Sequence, residues 1–352
     1  MPQHFLLSSG ARGLSLKQVF AMSDDVARET FAELRWGDKL VQTCPHCGVI
    51  RAHRYVKLQK RWRCKECYQP FSVTSGSVFH GHKLPLQTII AGILIYANAV
   101  KGLSALQLSR ELDVQYKTAF VLLHKIRESL WKTQNTTPFE GDVEIDAAHV
   151  HRYMRPKNKK ADRVDRRLEE NQNKMKCIVL VIRQRCPAQD DGEEGAMRTR
   201  IFVLKSENEN DIRAVVEANV KRGSRIFTDE ASGYASLGAL YPHEVVCHEA
   251  EYQSDSGANQ NQAESYFARL RRMLMGQIHQ YVRKHLDVYA NEIAFREDWR
   301  RKSNRTFVMD ALQKCLQCAR SRDWAKYWQG NKRRHDSVMN IPARTLASPA
   351  AG

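Results

Sequence analysis

Apolar positions along the chain fall into two regimes. Up to about residue 132 they recur at helical spacing. Residues 1–40 read as a short helical arm, with Phe20, Val26, Phe31 and Leu34 as its apolar positions. Residues 84–132 read as helices. The clearest pair is Leu103 to Leu112 and Gln115 to Leu130, joined at Asp113-Val114. The first offers Leu103, Leu106 and Leu112 to a core; the second offers Tyr116, Ala119, Phe120, Leu123 and Leu130. Beyond the polar linker Thr133 to Pro138 the pattern changes. Val143–Val150, Cys177–Ile182, Ile201–Leu204, Arg225–Thr228 and Val245–Cys247 read as short strands. Helical periodicity returns at Ile212–Val220 and Gln260–Gly276, and again after Leu286. Strands mixed with helices predict an α/β domain. The tail after Asn331 is basic, then rich in Ala, Pro and Ser, a composition that predicts disorder. No repeat of twenty to fifty residues is present.

Charge narrows the partners. The 352 residues carry a formal net charge of +17, which favours a polyanion, with nucleic acid the natural candidate. No apolar run approaches the roughly 20 residues that span a bilayer; Thr88 to Val100 is too short. This argues against a membrane partner. The N-terminus lacks the basic and apolar regions of a secretory signal. Nine cysteines, four of them in a metal-like array, fit a reducing cytoplasm better than a disulfide framework.

That array is Cys44-Pro45-His46-Cys47 and Cys64-Lys65-Glu66-Cys67, with sixteen residues between the two knuckles. Each tight turn brings two thiolates to one ion, and two turns close a tetrahedron around structural Zn²⁺. Gly48 follows the first knuckle, where left-handed backbone is often needed. His46 is not counted as a ligand. The intervening Lys60, Arg61, Trp62 and Arg63 suit either a nucleic-acid surface or a solvated hairpin. Cys177, Cys186, Cys247, Cys315 and Cys318 read as ordinary thiols, most of them buried.

The helix pair has a polar face of Gln115, Lys117, Thr118, His124 and Lys125. In a helix-turn-helix that face enters the major groove; in a plain bundle it is merely wet. Asp142, Glu144 and Asp146 alternate along the first strand and share one face. Asp229 ends a second apolar strand, and after thirty-four intervening residues Glu264 lies on a helix beside the core stripe Ala263, Tyr266, Phe267, Leu270 and Leu274. Three such acids can hold two hard divalent ions. Spacing alone is a weak signal among 39 acids.

The order of these features resembles bacterial insertion-sequence transposases of the ISXO-like group. The matching segments are Phe71–Phe79, Val143–Asp146, Arg163–Leu168 with Glu170–Gln172, Asp229–Tyr234, and Asn261–Phe267 with Arg269, Arg271 and Arg272. The resemblance spans roughly residues 40–305. After the helical arm at 1–40, it implies a zinc ribbon at 41–80, a helix-turn-helix DNA-binding module at 81–132 and a ribonuclease-H-like DDE domain at 139–305. A C-terminal helix and basic disordered tail fill 306–352. It implies a metal-dependent transposase that binds terminal inverted repeats, cuts at the element's end and joins the 3′-OH to target DNA. Asp146, Asp229 and Glu264 would hold two Mg²⁺, for which Mn²⁺ can substitute. Asn261 and Arg271 are second-tier positions on the same helix stripe. The partners would be double-stranded DNA and further copies of the chain, in the cytoplasm on the bacterial nucleoid, with no small-molecule substrate. One departure is His149 and His151, where the family usually has small residues; it raises the alternative of an inactive copy. The other readings are a non-catalytic DNA-binding derivative and a nuclease that cuts without joining.

Basic segments add candidates. Arg152 to Arg167 holds eight Lys or Arg and two Asp directly after the first acid-bearing strand. Arg155, Lys157, Lys159 and Lys160 could track phosphates there, or sit on a solvated loop. Asp190, Asp191, Glu193 and Glu194 read as a hairpin tip turned away from DNA.

Overall fold

The computed structural model describes residues 5–150, 157–165, 171, 177–187, 195–204, 207–246, 261–278, 281 and 283–331. Arg155, His151, Cys247, the acidic tip and the tail after Asn331 lie outside the described residues. The chain divides into two units. One comprises 1–134 with 299–334; the other comprises 135–298 with 335–352.

The first unit opens with two capped helices. α1 (Leu16–Phe20) has a reciprocal Ser15–Gln18 capping box. α2 (Asp24–Trp36) is capped by the Ser23 hydroxyl and stopped by left-handed Gly37. The buried positions are Val19, Ala27, Phe31 and Ala32. Phe20 and Val26 are exposed instead, because a five-residue helix and a break at 21–23 reset the helical phase.

The knuckles are framed by two small sheets. β1 (Gln42–Thr43) pairs antiparallel with β2 (Ile50–Arg51). β3 (Arg54–Val56), β4 (Arg61–Arg63) and β5 (Pro70–Phe71) form the second. Trp62 is buried and stacks on Phe71 at 6.0 Å, with Trp36 edge-on at 5.4 Å. Aromatic packing therefore supplies the core of a segment too small to build an aliphatic one. Arg61 and Arg63 flank Trp62 on the exposed face.

α3 (Leu86–Asn98) is apolar all round and buried from Ile89 to Tyr96. α4 (Ala105–Glu111) is capped by Ser104, and α5 (Tyr116–Lys132) follows after a turn in which Asp113 is left-handed at φ 50°. Asp tolerates that region better than most residues, so the turn forms without glycine. Leu106 and Tyr116 are exposed. The polar face read from α5 is only partly wet: Lys117 is exposed and Thr118 half-buried, but His124 and Lys125 are buried. For His124 the cause is a segment far along the chain. Trp324 stacks on His124 at 4.1 Å, and Tyr327 and Trp328 pack around Phe120.

The second unit is a five-stranded sheet with helices on both faces. β6 (Asp142–Val150), β7 (Cys177–Arg185) and β8 (Ala196–Leu204) run antiparallel. α6 (Glu209–Asn219) leads to β9 (Arg225–Thr228), which pairs parallel with β6, and β10 (His243–Val245) pairs parallel with β9. The order is β10-β9-β6-β7-β8. α7 (Asn261–Gly276) and α8 (Leu286–Trp299) follow. Alternation splits the middle strands between two cores. Val143, Ile145, Ile178, Leu180 and Ile182 pack with Ile212, Val215 and Val216 of α6. Ala148, Val179, Val181, Ile201 and Val203 pack with Tyr266, Phe267 and Leu270 of α7 and Tyr289 and Ile293 of α8. Both faces are covered, which is why β7 reads as a continuous apolar run. Last, α9 (Asn304–Gln317), capped by Ser303, returns to pack on α2, α3 and α5 of the first unit.

Candidate metal centres and active site

The four cysteines converge. Their sulfurs all lie within 4.8 Å of one another. Cys44 Sγ is 3.7 Å from Cys67 Sγ, and Cys47 Sγ is 3.6 Å from Cys64 Sγ. A tetrahedral ion with Zn–S of ~2.3 Å has sulfur–sulfur edges of ~3.8 Å, whereas a disulfide needs ~2.05 Å. The spacing fits zinc and excludes a disulfide. Backbone N–H groups of His46 and Glu66 point at Cys44 and Cys64 sulfurs at 3.5 and 3.4 Å. Left-handed residues close both knuckles, Gly48 at φ 77° and Tyr68 at φ 59°. Four sulfurs fill the coordination shell, so the site is structural.

The acids of the second unit meet where β9 ends. Register pairs Glu144 with Phe227; continued two residues, it sets Asp146 beside Asp229, on strands spaced about 4.8 Å apart. Asp229 turns to accept from Ala231 N at 3.1 Å, and Asp146 from Ala147 N at 2.7 Å. Glu264 lies in the first turn of α7, exposed beside the buried stripe. Burial first, then the negative charge of Asp229, pushes the Asp146 carboxyl up to about 7; Glu207 and Glu264 add to this, against the pull of the Ala147 N–H. Charge from all three neighbours therefore reaches one carboxyl.

Glu207 was not read from the sequence, and His149 was read there only as a departure from the family pattern. Glu207 precedes α6, half-buried, and its Oε2 lies 3.3 Å from Nε2 of His149. Burial and Asp229 raise its pKa, while His149 lowers it. Nothing local marks Glu207, since it is one acid in a polar turn. Tyr234, in the 3-10 stretch Ser232–Ala239, is buried with its hydroxyl unpaired, and burial followed by Asp146, Asp229 and Glu207 raises its pKa. Gly233 lets this stretch approach closely: a Cβ there would lie 2.9 Å from Ile212 Cδ1.

Among the described residues, no three of these carboxylate and imidazole groups have ligand atoms within 4.8 Å of one another, unlike the cysteines. The donor set is carboxylate oxygen with mutual repulsion, which suits a hard divalent cation and not a soft one. Asn261 is exposed at the first position of α7. Arg271 is exposed over the Phe267 ring at 5.9 Å. Lys157, Lys159 and Lys160 are exposed, and Arg163 folds back onto the Lys157 carbonyl at 3.0 Å. Lys117 lies over Trp328 at 5.4 Å. Cys177, Cys315 and Cys318 are buried and in no disulfide; Cys186 is half-buried.

Residues 138–298 match the model of the ISXO2-like transposase domain, and residues 22–69 match that of the transposase zinc-ribbon domain. The two matches cover more than half of the chain. The chain carries an ISXO2-like transposase domain behind a transposase zinc ribbon. A Halobacterium salinarum protein described as an uncharacterized protein in transposable element ISH50 is 24% identical over 308 residues, which is 84% of this chain and 98% of that one. Among solved structures, the Mos1 strand transfer complex matches with a TM-score of 0.24 at 12% identity, covering 70% of this chain and 78% of that one. A pre-cleavage Mos1 transpososome matches with a TM-score of 0.16 at 12% identity, covering 64% and 77%. Likeness at that level has no bearing on the fold. No helix among the described residues of this transposase is long and apolar enough to cross a membrane.

Proposed function

We propose that this transposase cuts DNA at the ends of its element and transfers the freed 3′-OH to target DNA, with Asp146, Asp229 and Glu264 as the reacting acids. One observation carries the reading: Asp146 is raised to about 7 by burial and by the charge of Asp229, Glu207 and Glu264, in a chain of net charge +17. Such a knot of like charge is stable only with counter-cations or protons. Bound Mg²⁺ would supply Lewis acidity toward the attacking and leaving oxygens. The three acids hold that charge in place, and Asp146 and Asp229 do so from rigid adjacent strands. His149 steadies Glu207 at the margin of the cluster.

Further support comes from topology. Three antiparallel strands followed by two parallel ones, in the order β10-β9-β6-β7-β8, fit a ribonuclease-H-like sheet. The α4–α5 pair with its left-handed Asp113 fits a helix-turn-helix. Lys117 and Thr118 are its accessible contacts, so any base reading falls to the N-terminal turn of α5. Lys157, Lys159, Lys160 and Arg271 are assigned to phosphates. Two ends must be held together, so the working form is an oligomer on DNA, in the cytoplasm.

The test is Mg²⁺-dependent nicking and joining of end-containing DNA. Asp146→Asn is expected to lower both at least about a hundredfold, ~3 kcal/mol of barrier, while end binding persists. Nicking that survives the substitution overturns the assignment. Joining that is absent even with pre-cut ends favours a nuclease, and binding with no cleavage by the native chain favours a DNA-binding derivative.

A further inference from the structure

We propose that Glu144 is a positioning residue that holds the three acid-bearing elements in register through Arg185 and the first turn of α7. The proposal rests on Asp146, Asp229 and Glu264 being the reacting acids. Glu144 is 0% exposed, two residues before Asp146 on β6. Its Oε2 accepts from the backbone N–H of Gln262 and of Ala263, both at 3.0 Å. Those are the two residues before Glu264. Its Oε1 accepts from Arg185 Nε at 2.8 Å. The Arg185 guanidinium lies 3.9 Å from the centroid of the Phe227 ring, and Phe227 is two residues before Asp229. The buried carboxylate thus reaches the residues next to Glu264 and, through Arg185, a residue near Asp229, from the strand that carries Asp146.

The arrangement has a physical rationale. An ionised carboxylate out of water is costly unless paired and hydrogen-bonded; Arg185 and two N–H groups meet that need. The first N–H groups of a helix have no partner within it, and the N-terminal dipole favours an anion there. Most helices recruit that anion or cap from a neighbouring residue. Here it comes from a strand more than a hundred positions upstream, so the start of α7 is tied to β6. Arg183, opposite Glu144 on β7, donates to the Gln262 carbonyl and to Thr199 Oγ1 and Glu297. The same turn is gripped from two neighbouring strands. A displacement of about 1 Å at reacting groups costs on the order of a hundredfold in rate, so a tether this close to all three acids bears directly on their geometry.

The test compares the native chain with Glu144→Gln, Arg185→Met and Asp146→Asn, full length and zinc-loaded, at a temperature where their circular dichroism is the same. Mn²⁺ binding to the DNA-free protein is measured by titration calorimetry, beside the kcat for cleavage of end DNA. Glu144→Gln is expected to weaken Mn²⁺ binding and to lower kcat, each at least about tenfold. Saturating Mn²⁺ should return part of kcat, with DNA affinity and zinc content unchanged. Arg185→Met should shift both in the same direction by less, and it serves as the deciding variant if Glu144→Gln does not fold. Native Mn²⁺ affinity and kcat in the folded variants, alongside their loss in Asp146→Asn, would overturn the positioning role and leave the triad standing. Retention of both in Asp146→Asn would instead overturn the triad and this proposal with it.

Discussion

The ribbon and the acid cluster solve opposite problems in holding a cation. The ribbon brings four sulfurs within 4.8 Å in a segment with few aliphatic residues, and its two turns are set by local backbone, Gly48 and Tyr68 included. The acid cluster sits in a fully formed sheet, yet its carboxylates stay farther apart and burden one another, with Asp146 raised to about 7. In the first case the metal makes the fold; in the second the fold confines charge that a metal would relieve. A structural ion belongs where little else supports the chain, and a reactive one where the surroundings are rigid.

That contrast is sharpest if the metal is withdrawn. Cys64→Ser should release zinc and unfold residues 42–71, since binding to such sites supplies roughly 10–16 kcal/mol of apparent free energy at pH 7. Zinc content and near-ultraviolet dichroism of Trp36 and Trp62 would report it. A ribbon that keeps its tryptophan signal without zinc would break the comparison.

The acid cluster should respond in the other direction. A carboxyl whose folded pKa is raised from 3.8 to about 7 contributes stability that is complete below pH ~4. That contribution is lost as pH rises through about 7. Metal-free Asp146→Asn should therefore melt higher than the native chain at pH 8 and not at pH 4. With Asp146 partly exposed, solvent screening reduces the effect to about 1 kcal/mol, or about 2–4 °C. Equal melting temperatures at pH 8 would remove the claim of confined repulsion. Glu207→Gln should act in the same sense by less, because Glu207 ranks below burial and Asp229 among the causes of the Asp146 shift; a larger effect than that of Asp146→Asn would move the centre of the cluster toward His149.

Much of this was legible from residue order, and the rest was not for identifiable reasons. The knuckles could be read because both ligands of each lie within four residues. β6, β7 and β9 could be read because a short run of apolar, β-branched residues is a local property. Glu144 shared a face with Asp146 in the sequence pattern, but its capping of α7 could not be inferred, since Gln262 and Ala263 carry no side-chain mark of an incoming carboxylate. The His149–Glu207 pair is long-range for the same reason. Amphipathicity misled at Phe20, Val26, Leu106 and Tyr116, which stay in water, at His124, which Trp324 covers, and at Lys125, which is buried.

The path of the chain also bears on how the molecule is made. α9 and the Trp324 segment complete the first unit, but the whole of Asn135–Asp298 is synthesised before them. At ~5–20 residues per second, the ribosome takes about 10–30 s to cross that insertion. During that interval α2, α3 and α5 wait for their last packing partner with the Ile-rich surface of α3 incompletely covered. The inserted sheet, contiguous in sequence, can fold meanwhile, so assembly on the ribosome should run from the interior of the gene product outward, with the amino-terminal helices finishing last.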